Sequence, residues 1–325
     1  MNRILVTGAT GFIGIEVSRQ LAERGFRPRL MVRRPLRGIM LKNLDAEIRQ
    51  ADLRSTRSLV RALDGIDTVI HLGARAAFEA YSVLVPSIVM GSTNLVKAAI
   101  AAGVQQFVFG GSLLVYAETP GGIDQRTPAS PLSGYGRAKL EAENRMKAMA
   151  ASAGVRFASL RLPHVYGAHS LLFDQVRHGR ILFPGKGDNQ FANLHVADAA
   201  RALIRAAETG MEGVWVVADD QSCTWNDFFE TTRTYYPRLR VTHVPQSVAY
   251  AGTRLLDLFY PMTGKTNPYP SGAVSCWNLN LPVVPGTLAE ALGFEPSYPS
   301  IHEGIPAVLD DAISFYWLPS NLDRV

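Results

Sequence analysis

The chain has 325 residues, 47% of them hydrophobic and 19% charged, which is typical of a globular protein with a large buried core. Its net charge of +5 is spread along the sequence, so we expect neither a nucleic-acid-binding stripe nor a polybasic membrane patch. The two cysteines, Cys223 and Cys276, lack the spacing of a zinc site or a disulfide framework, and this favours a cytoplasmic location. We find no secretory signal and no apolar run of the roughly 18–20 residues that span a bilayer.

Short apolar segments alternate with helical patterns over the first two thirds of the chain. The predicted strands are Ile4–Val6, Arg29–Val32, Thr68–Leu72, Phe107–Gly110 and Phe157–Leu162. The predicted helices are Phe12–Arg24, Thr56–Leu63, Ser87–Ala102 and Tyr135–Ser152. This alternation predicts an α/β fold, a Rossmann-type doubly wound parallel sheet that binds ligands at the carboxyl ends of its strands.

The alternation breaks after about residue 166, where glycine- and proline-rich segments separate isolated helices such as Val196–Thr209. Gly213–Val217 has the pattern of one more strand of the sheet. The expected division is a dinucleotide-binding domain over 1–165, to which 194–220 return, and a smaller, irregular substrate-binding cap formed by 166–193 and 221–325. The apolar helix Ser247–Phe259 is expected to pack into a core, although its surplus of apolar surface would also suit a lipid or a partner.

A glycine-rich segment, Thr7-Gly8-Ala9-Thr10-Gly11-Phe12-Ile13-Gly14, follows the first strand directly and opens the first helix. Gly8 permits a tight turn, Gly11 lets the backbone approach a pyrophosphate, and Gly14 lets the helix pack closely on the strand. The helix amino end offers free amide groups and a positive dipole end to the phosphates. The segment predicts a dinucleotide site lined by Thr7, Gly8, Thr10, Gly11, Phe12, Ile13 and Gly14.

The end of the second strand indicates which dinucleotide is bound. An acidic residue there would bind the ribose 2′-hydroxyl of NAD, whereas arginine accommodates the 2′-phosphate of NADP. The sequence has Arg33 and Arg34 at this point and no carboxylate. It therefore favours NADP(H), with NAD(H) as the alternative.

Tyr135 is the one tyrosine with a lysine, Lys139, four residues later. On a helix the two side chains share a face, so the Lys139 ammonium is expected to lower the phenol pKa of Tyr135 and to hold the nicotinamide ribose. Ser112 follows the strand Phe107–Gly110 and would hydrogen-bond the substrate oxygen while Tyr135 transfers a proton. We predict Ser112, Tyr135 and Lys139 as the catalytic set.

Together these residues resemble the extended short-chain dehydrogenase/reductase family, within the NAD(P)-dependent epimerase/dehydratase superfamily. The resemblance continues through Ala51-Asp52-Leu53, His71-Leu72-Gly73-Ala74, Gly91-Ser92-Thr93-Asn94-Leu95, Val115-Tyr116, Arg161 to Gly167, His195-Val196-Ala197-Asp198 and Leu292-Gly293-Phe294-Glu295-Pro296. It implies that Asp52 and Leu53 contact the adenine. It also implies that Leu72, Gly73 and Ala74 line the cofactor, that Pro163, His164 and Val165 face the nicotinamide, and that His195 stabilises its turn.

The resemblance further implies a homodimer formed through Ser87–Ala102 and Tyr135–Ser152. His164, His169 and His178 are too irregularly placed to indicate a metal site, so we expect no metal. Departures from the family pattern point to the substrate. Sugar-nucleotide dehydratases carry Asp-Glu where this chain has Leu113-Leu114, and epimerases keep Asn and a diphosphate-binding Arg where it has His164 and Phe191. These four residues are the predicted substrate contacts, in a pattern similar to the 3β-hydroxysteroid dehydrogenase and dihydroflavonol reductase branch.

Three functions fit these patterns. The first is an NADP(H)-dependent oxidoreductase that interconverts a secondary alcohol and a ketone of a largely apolar small molecule, with Tyr135 as acid and base. The second is a sugar-nucleotide epimerase with an unusual diphosphate grip. The third is a regulator that senses NADP(H) without turnover, against which the intact Tyr135 and Lys139 pair argues.

Overall fold

One seven-stranded, fully parallel sheet organises the computed structural model, which describes residues 3–75, 78–263, 267 and 270–314. Its strands are β1 (Ile4–Thr7), β2 (Arg29–Val32), β3 (Glu47–Gln50), β4 (Thr68–His71), β5 (Gln106–Gly110), β6 (Arg156–Arg161) and β11 (Gly213–Val216). They are ordered β3-β2-β1-β4-β5-β6-β11, so the direction of winding reverses between β1 and β4. The predicted Rossmann-type fold is confirmed.

Helices connect these strands, and smaller paired strands lie outside the main sheet. The helices are α1 (Phe12–Glu23), α2 (Thr56–Leu63), α3 (Tyr81–Leu84), α4 (Gly91–Ala101), α5 (Gly134–Ser152), α6 (Leu171–Arg177), α7 (Val196–Thr209), α8 (Trp225–Tyr235), α9 (Gln246–Phe259), α10 (Ser271–Trp277), α11 (Thr287–Leu292) and α12 (Ile301–Ser314). The additional strands are β7 (His164–Tyr166), β8 (Arg180–Pro184), β9 (Gln190–Phe191), β10 (Asn193–His195), β12 (Cys223–Thr224) and β13 (Arg240–Val244).

The edge strand β3 was not predicted from the sequence. Its four residues include a single apolar side chain, Ile48, and the strand is largely exposed. Because an edge strand pairs on one side only and need not be buried, it lacks the apolar pattern that identified the central strands.

The helical segment before β5 starts earlier than predicted. A π-helical stretch, Pro86–Met90, joins α3 to α4, so that Tyr81–Ala101 is helical throughout. This segment is long and apolar enough to cross a membrane by length and composition alone, contrary to the expectation that no such run exists. Half of it is buried within the fold, which is the behaviour of a core helix.

The central strands are buried on both faces, as parallel strands covered by helices must be. β1 and β4 have no exposed residue. One core cluster packs α1 and α7 against one face of the sheet, and a second packs α4 and α5 against the other. These two layers hold the carboxyl ends of the strands in one fixed row, where the candidate site lies.

A third cluster is aromatic and belongs to the region after β7. It is formed chiefly by α6, α8, α12 and the inward side of β8, with Phe183, Trp225 and Phe228 at its centre. The helix α9, by contrast, has no buried residue. The expectation that this helix packs into a core is therefore wrong, because its inward stripe consists of small and polar residues and its apolar side chains face outward.

Asp219 is a buried carboxyl group at the end of β11, 2% exposed. The backbone amides of Asn193 and Gln221 lie near it, yet neither carboxylate oxygen makes a well-formed hydrogen bond. Burial penalises the charged form and raises the pKa of Asp219 to about 9. The side chain is therefore mainly protonated at neutral pH.

Replacing Asp219 by Asn should stabilise the protein increasingly as the pH rises. A carboxyl group whose pKa is raised on folding stabilises the fold fully below its unfolded pKa, and this contribution is lost as the pH rises towards the folded value of about 9. We expect D219N to exceed the wild type in Tm by at least about 2 °C at pH 8, on the order of 1 kcal/mol, and by less at pH 5. Thermal unfolding at both pH values tests this, with the exposed Asp188→Asn as the control, and a pH-independent difference would contradict it.

Candidate active site

The glycine-rich turn between β1 and α1 has no room for side chains at two of its positions. Gly8 has a φ of 70°, in the left-handed region that glycine adopts without strain, and a Cβ there would lie 2.7 Å from the Leu72 backbone. A Cβ on Gly14 would lie 2.1 Å from the Gly8 carbonyl oxygen. Gly11 differs, since it is exposed and its Cβ would meet only the Gly8 oxygen, at 3.1 Å. Gly11 is therefore where an external group can reach the backbone.

The amino end of α1 fits the phosphates of a dinucleotide. No side chain caps this helix and its first turn has no acidic residue, so its amide groups and positive dipole end are available to an anion. Thr10, Phe12 and Ile13 lie on this turn and are partly exposed. The residues present thus fit the predicted cofactor at its pyrophosphate.

Thr7 has a structural task in this turn. Its hydroxyl oxygen accepts a hydrogen bond from the Gly73 amide (3.1 Å) and shares a second hydrogen bond with His71 Nδ1 (2.6 Å). His71 Nε2 is in turn hydrogen-bonded to the Ser92 hydroxyl, at 2.9 Å. Burial lowers the pKa of His71 to about 3, which keeps the ring neutral and suits this chain of donors and acceptors. The network ties β1 to β4 and to α4.

Asp52 and Leu53 stand at the carboxyl end of β3, where the resemblance places the adenine. Both nitrogen atoms of the Arg54 guanidinium fork bind the Asp52 carboxylate, at 2.9 and 3.1 Å, and this pair holds the pKa of Asp52 below its usual range. Arg33 and Arg34, at the end of β2, are exposed and form no side-chain hydrogen bond or ion pair with another described residue. Their guanidinium groups are free to bind a phosphate.

The structure brings Ser112 and Tyr135 to the same edge of the sheet. Ser112 follows β5, and its hydroxyl accepts a hydrogen bond from the Leu114 amide at 3.2 Å. The first turn of α5 packs on this segment so closely that a Cβ on Gly136 would lie 1.9 Å from the Leu114 carbonyl oxygen. Tyr135, next to Gly136, is therefore held beside the turn that carries Ser112.

Lys139 approaches the same edge from the second turn of α5. Its ammonium donates a hydrogen bond to the Gly110 carbonyl oxygen and lies 4.1 Å from the centre of the Phe109 ring. Burial lowers the pKa of Lys139 to about 7, and burial raises the pKa of Tyr135 to about 12. The prediction that Lys139 lowers the phenol pKa is wrong for this structure, because desolvation of the phenol is the dominant influence and the ammonium bonds to a backbone carbonyl.

A buried ion pair fixes α5 one turn beyond Lys139. Glu143, 1% exposed, accepts hydrogen bonds from Arg161 Nη2 and from the Ser159 hydroxyl, each at 2.6 Å. Arg161 also donates to the Tyr116 hydroxyl oxygen at 2.6 Å. Removing one partner of such a pair leaves an uncompensated buried charge. The network anchors the helix that carries the predicted catalytic residues to β6.

A cleft of about 520 Å³ opens beside Tyr135, between the loop after β4, the start of α5 and the helices α9 and α10. Most of its lining is apolar or small. Arg75 is ion-paired with Glu79, and Arg254 lies near Asp257, so each cleft arginine faces a carboxylate. The lining residues include Phe78, Val83, Leu132, Tyr260, Pro270 and Gly272. A second, polar pocket of about 310 Å³ lies at the amino ends of the strands, away from these residues.

The predicted substrate contacts do not line this cleft. Leu113 is buried in a separate apolar cluster, and Leu114 is partly buried beside it. Phe191 stacks on Trp225 with ring centres 4.0 Å apart. These side chains serve packing, and their contact with a substrate stays a prediction.

His164 lies between Pro163 and Val165, which are partly buried. Its Nδ1 is 3.0 Å from the Asn193 side-chain oxygen, and its ring packs on Trp225. Burial lowers the pKa of His164 to about 4, so it is neutral at pH 7. It is part of the aromatic cluster, and the proposed contact of this segment with the nicotinamide is untested.

The residues that line the cleft beside Tyr135 were not predicted from the sequence. Phe78 follows the carboxyl end of β4, and the strand order alone could have indicated it. Nothing in the sequence places Arg254 or Tyr260 there, because they come from an irregular region more than 100 residues after Tyr135. His195, in contrast, does what the resemblance implied, since its side chain accepts a hydrogen bond from Ala197 and caps α7.

Replacing Gly11 by Ala should weaken dinucleotide binding at least ten-fold, about 1.4 kcal/mol, without unfolding the protein. The backbone φ of −86° suits alanine, but the added methyl group stands where the pyrophosphate would approach. Titration of NADPH fluorescence measures the effect. Gly121→Ala, where a Cβ meets nothing within 4 Å, is the control, and equal affinities of the two variants would refute the assignment of this turn.

Comparison with known proteins identifies the family to which the chain belongs. The model of the NAD dependent epimerase/dehydratase family matches residues 4–218. A ceramide reductase from Caulobacter vibrioides is 26% identical over 98% of this chain and 97% of its own. A second relative, from Escherichia coli O157:H7, is 24% identical over 81% of this chain and 82% of its own. It is named N-acetyl-alpha-D-glucosaminyl-diphospho-ditrans,octacis-undecaprenol 4-epimerase, an epimerase of a lipid-linked sugar. The structure of MoeE5 with UDP-glucose and NAD superposes with a TM-score of 0.79 over 97% of this chain and 99% of that one, at 23% identity, which shows the shared fold. The chain is a member of the NAD dependent epimerase/dehydratase family.

Proposed function

We propose that the protein transfers hydride between NADP(H) and the carbonyl or secondary alcohol carbon of a largely apolar small molecule. The observation that carries this proposal is the cleft beside Tyr135. Its lining is mostly apolar, and each of its arginines faces a carboxylate, so it offers no unneutralised cation for a nucleotide diphosphate. Phe191 stands where epimerases bind the diphosphate with arginine, and it is packed on Trp225.

In this proposal each polar residue acts on the substrate oxygen or on the cofactor. The nicotinamide supplies the hydride when the cofactor is bound. Ser112 would hold the substrate oxygen through its hydroxyl, and Tyr135 would give or take the proton. Burial raises the pKa of Tyr135, so the phenol is protonated at pH 7 and can donate its proton in the direction of ketone reduction. Lys139 would exchange its bond to Gly110 for one to the nicotinamide ribose.

The relative that matches nearly the whole chain supports a reductase of an apolar substrate, because it is named a ceramide reductase. A sugar-nucleotide epimerase is the second candidate. It is favoured by the fold match to a complex with UDP-glucose and by the lipid-linked sugar epimerase among the relatives. We further propose a homodimer and a cytoplasmic location, the latter supported by the two free, buried cysteines.

Replacing Tyr135 by Phe should reduce turnover about 10²- to 10⁴-fold while cofactor affinity changes little, because the hydroxyl transfers the proton but the ring is retained. NADPH oxidation against apolar ketones measures it, and chromatography of UDP-glucose after incubation with the protein and NAD tests epimerisation, which consumes no cofactor overall. Tyr250→Phe, on the exposed side of α9, is the control. Full activity of Y135F would overturn the mechanism, and conversion of UDP-glucose in place of ketones would establish the epimerase.

Replacing Arg33 and Arg34 by Ala should weaken NADPH binding about ten-fold for each arginine that binds the 2′-phosphate, because a charge-assisted hydrogen bond contributes roughly 1.5–3 kcal/mol. NADH affinity should stay within about two-fold, since NADH has no 2′-phosphate. Calorimetry with both cofactors separates the effects. Arg37→Ala, also exposed, is the control, and equal losses for NADPH and NADH would remove the proposed preference.

A further inference from the structure

The helix α9 packs on the protein with its polar side and exposes its apolar side. Its inward stripe, partly buried and spaced by four residues, is Ala249, Thr253 and Asp257. Its opposite face holds Val248, Leu255 and Phe259, which are separated by seven and four residues and therefore align at 3.6 residues per turn. An amphipathic helix in a globular protein normally buries the apolar face. In the part of the chain that the structure describes, this apolar face is left exposed.

The exposed apolar surface extends beyond one face of the helix. Leu258 is 69% exposed, Phe259 61% and Met262, just after the helix, 82%. Leu182, 69% exposed, lies on β8, against which α9 packs. Contiguous apolar surface of this kind marks a protein or membrane contact.

The charged residues around the exposed apolar surface indicate whether a protein or a membrane contacts it. Among the residues of β8, β13 and α9, the charged side chains are Arg180, Arg240, Arg254 and a single carboxylate, Asp257. Asp257 is turned inward, where it accepts hydrogen bonds from the Ser271 amide (3.1 Å) and the Asn267 side chain (2.8 Å). Arg254 faces this carboxylate at the cleft, so the outward positive charges of these elements are Arg180 and Arg240.

Two of the arginines are placed against each other. Arg180 and Arg240 occupy paired positions on the parallel strands β8 and β13, and both are exposed. Like charges opposite each other destabilise a sheet, and an anionic surface relieves the repulsion. An apolar helix face flanked by arginine matches an anionic lipid surface.

We propose that α9 and the β8–β13 strand pair dock the protein onto an anionic membrane surface, with Leu255, Leu258 and Phe259 inserted at the level of the headgroups. Arg254, Asp257 and Tyr260 of the same segment line the cleft beside Tyr135. Docking therefore sets the mouth of the cleft next to the lipid, from which an apolar substrate enters without crossing water. The docking does not depend on which reaction the site performs.

Sedimentation of the full chain with vesicles tests the proposal. We expect binding to vesicles of phosphatidylcholine with about one third phosphatidylglycerol, and at least ten-fold weaker binding to phosphatidylcholine alone, since each of the arginines contributes about five-fold, the equivalent of ~1 kcal/mol. The double variant L258E/F259E should lose binding at least ten-fold. The variant L36E/I39E, which places two glutamates at exposed apolar positions after β2, should bind like the wild type.

Turnover of a water-soluble ketone with NADPH should be equal in wild type and L258E/F259E without vesicles, which separates this proposal from the proposed reaction. Failure of the wild type to sediment with anionic vesicles would overturn the docking. So would equal losses in L258E/F259E and L36E/I39E. A wild-type dimer that L258E/F259E converts to monomer in light scattering, with no vesicle binding, would also overturn it and assign the face to a second copy.

Discussion

The contact between the first two turns of α5 and the carboxyl end of β5 is the constraint on which the site depends. Only glycine fits at position 136, because a Cβ there would overlap the Leu114 carbonyl oxygen. Lys139 bonds to the Gly110 carbonyl oxygen on the other side of Ser112. These two contacts fix the helix against the strand end on which Ser112 stands. The buried pair of Glu143 and Arg161 holds the next turn. A shift of the helix would therefore move Tyr135 and Lys139 away from Ser112.

The helix α10 also contacts the segments around the start of α5. A Cβ on Gly272 would lie 2.2 Å from the Phe78 carbonyl oxygen, and the Phe78 ring packs edge-on against Tyr135 at 5.9 Å. Cys276 of α10 lies near Ser133, which caps α5. Helix α10 thus packs directly on the turn that positions Tyr135. Helix α9 supplies Arg254 and Asp257 to the cleft and exposes apolar side chains such as Leu258 on its outer side.

Burial dominates the electrostatics of the site. It raises the pKa of Tyr135, lowers that of Lys139 and keeps His71 and His164 neutral. The charged side chains of the cleft are arginines that face carboxylates, Arg75 with Glu79 and Arg254 with Asp257. Arg33 and Arg34, in contrast, are exposed at the end of β2.

The sequence by itself determined the parallel sheet, its central strands, the glycine turn and the position of Tyr135 and Lys139 on one helix. These features are local: apolar runs of four to six residues, fixed glycine spacing and the periodicity of a helix specify them without knowledge of distant contacts. The edge strand β3 was not predicted, because its one apolar residue, an exposed isoleucine, does not form the apolar run that identified the central strands. Only the tertiary structure decided the direction of the Tyr135 pKa shift, since that depends on how much protein covers the ring. It also decided which residues line the cleft and which face of α9 is exposed, because an amphipathic pattern defines two faces of a helix but not which of them meets the rest of the protein.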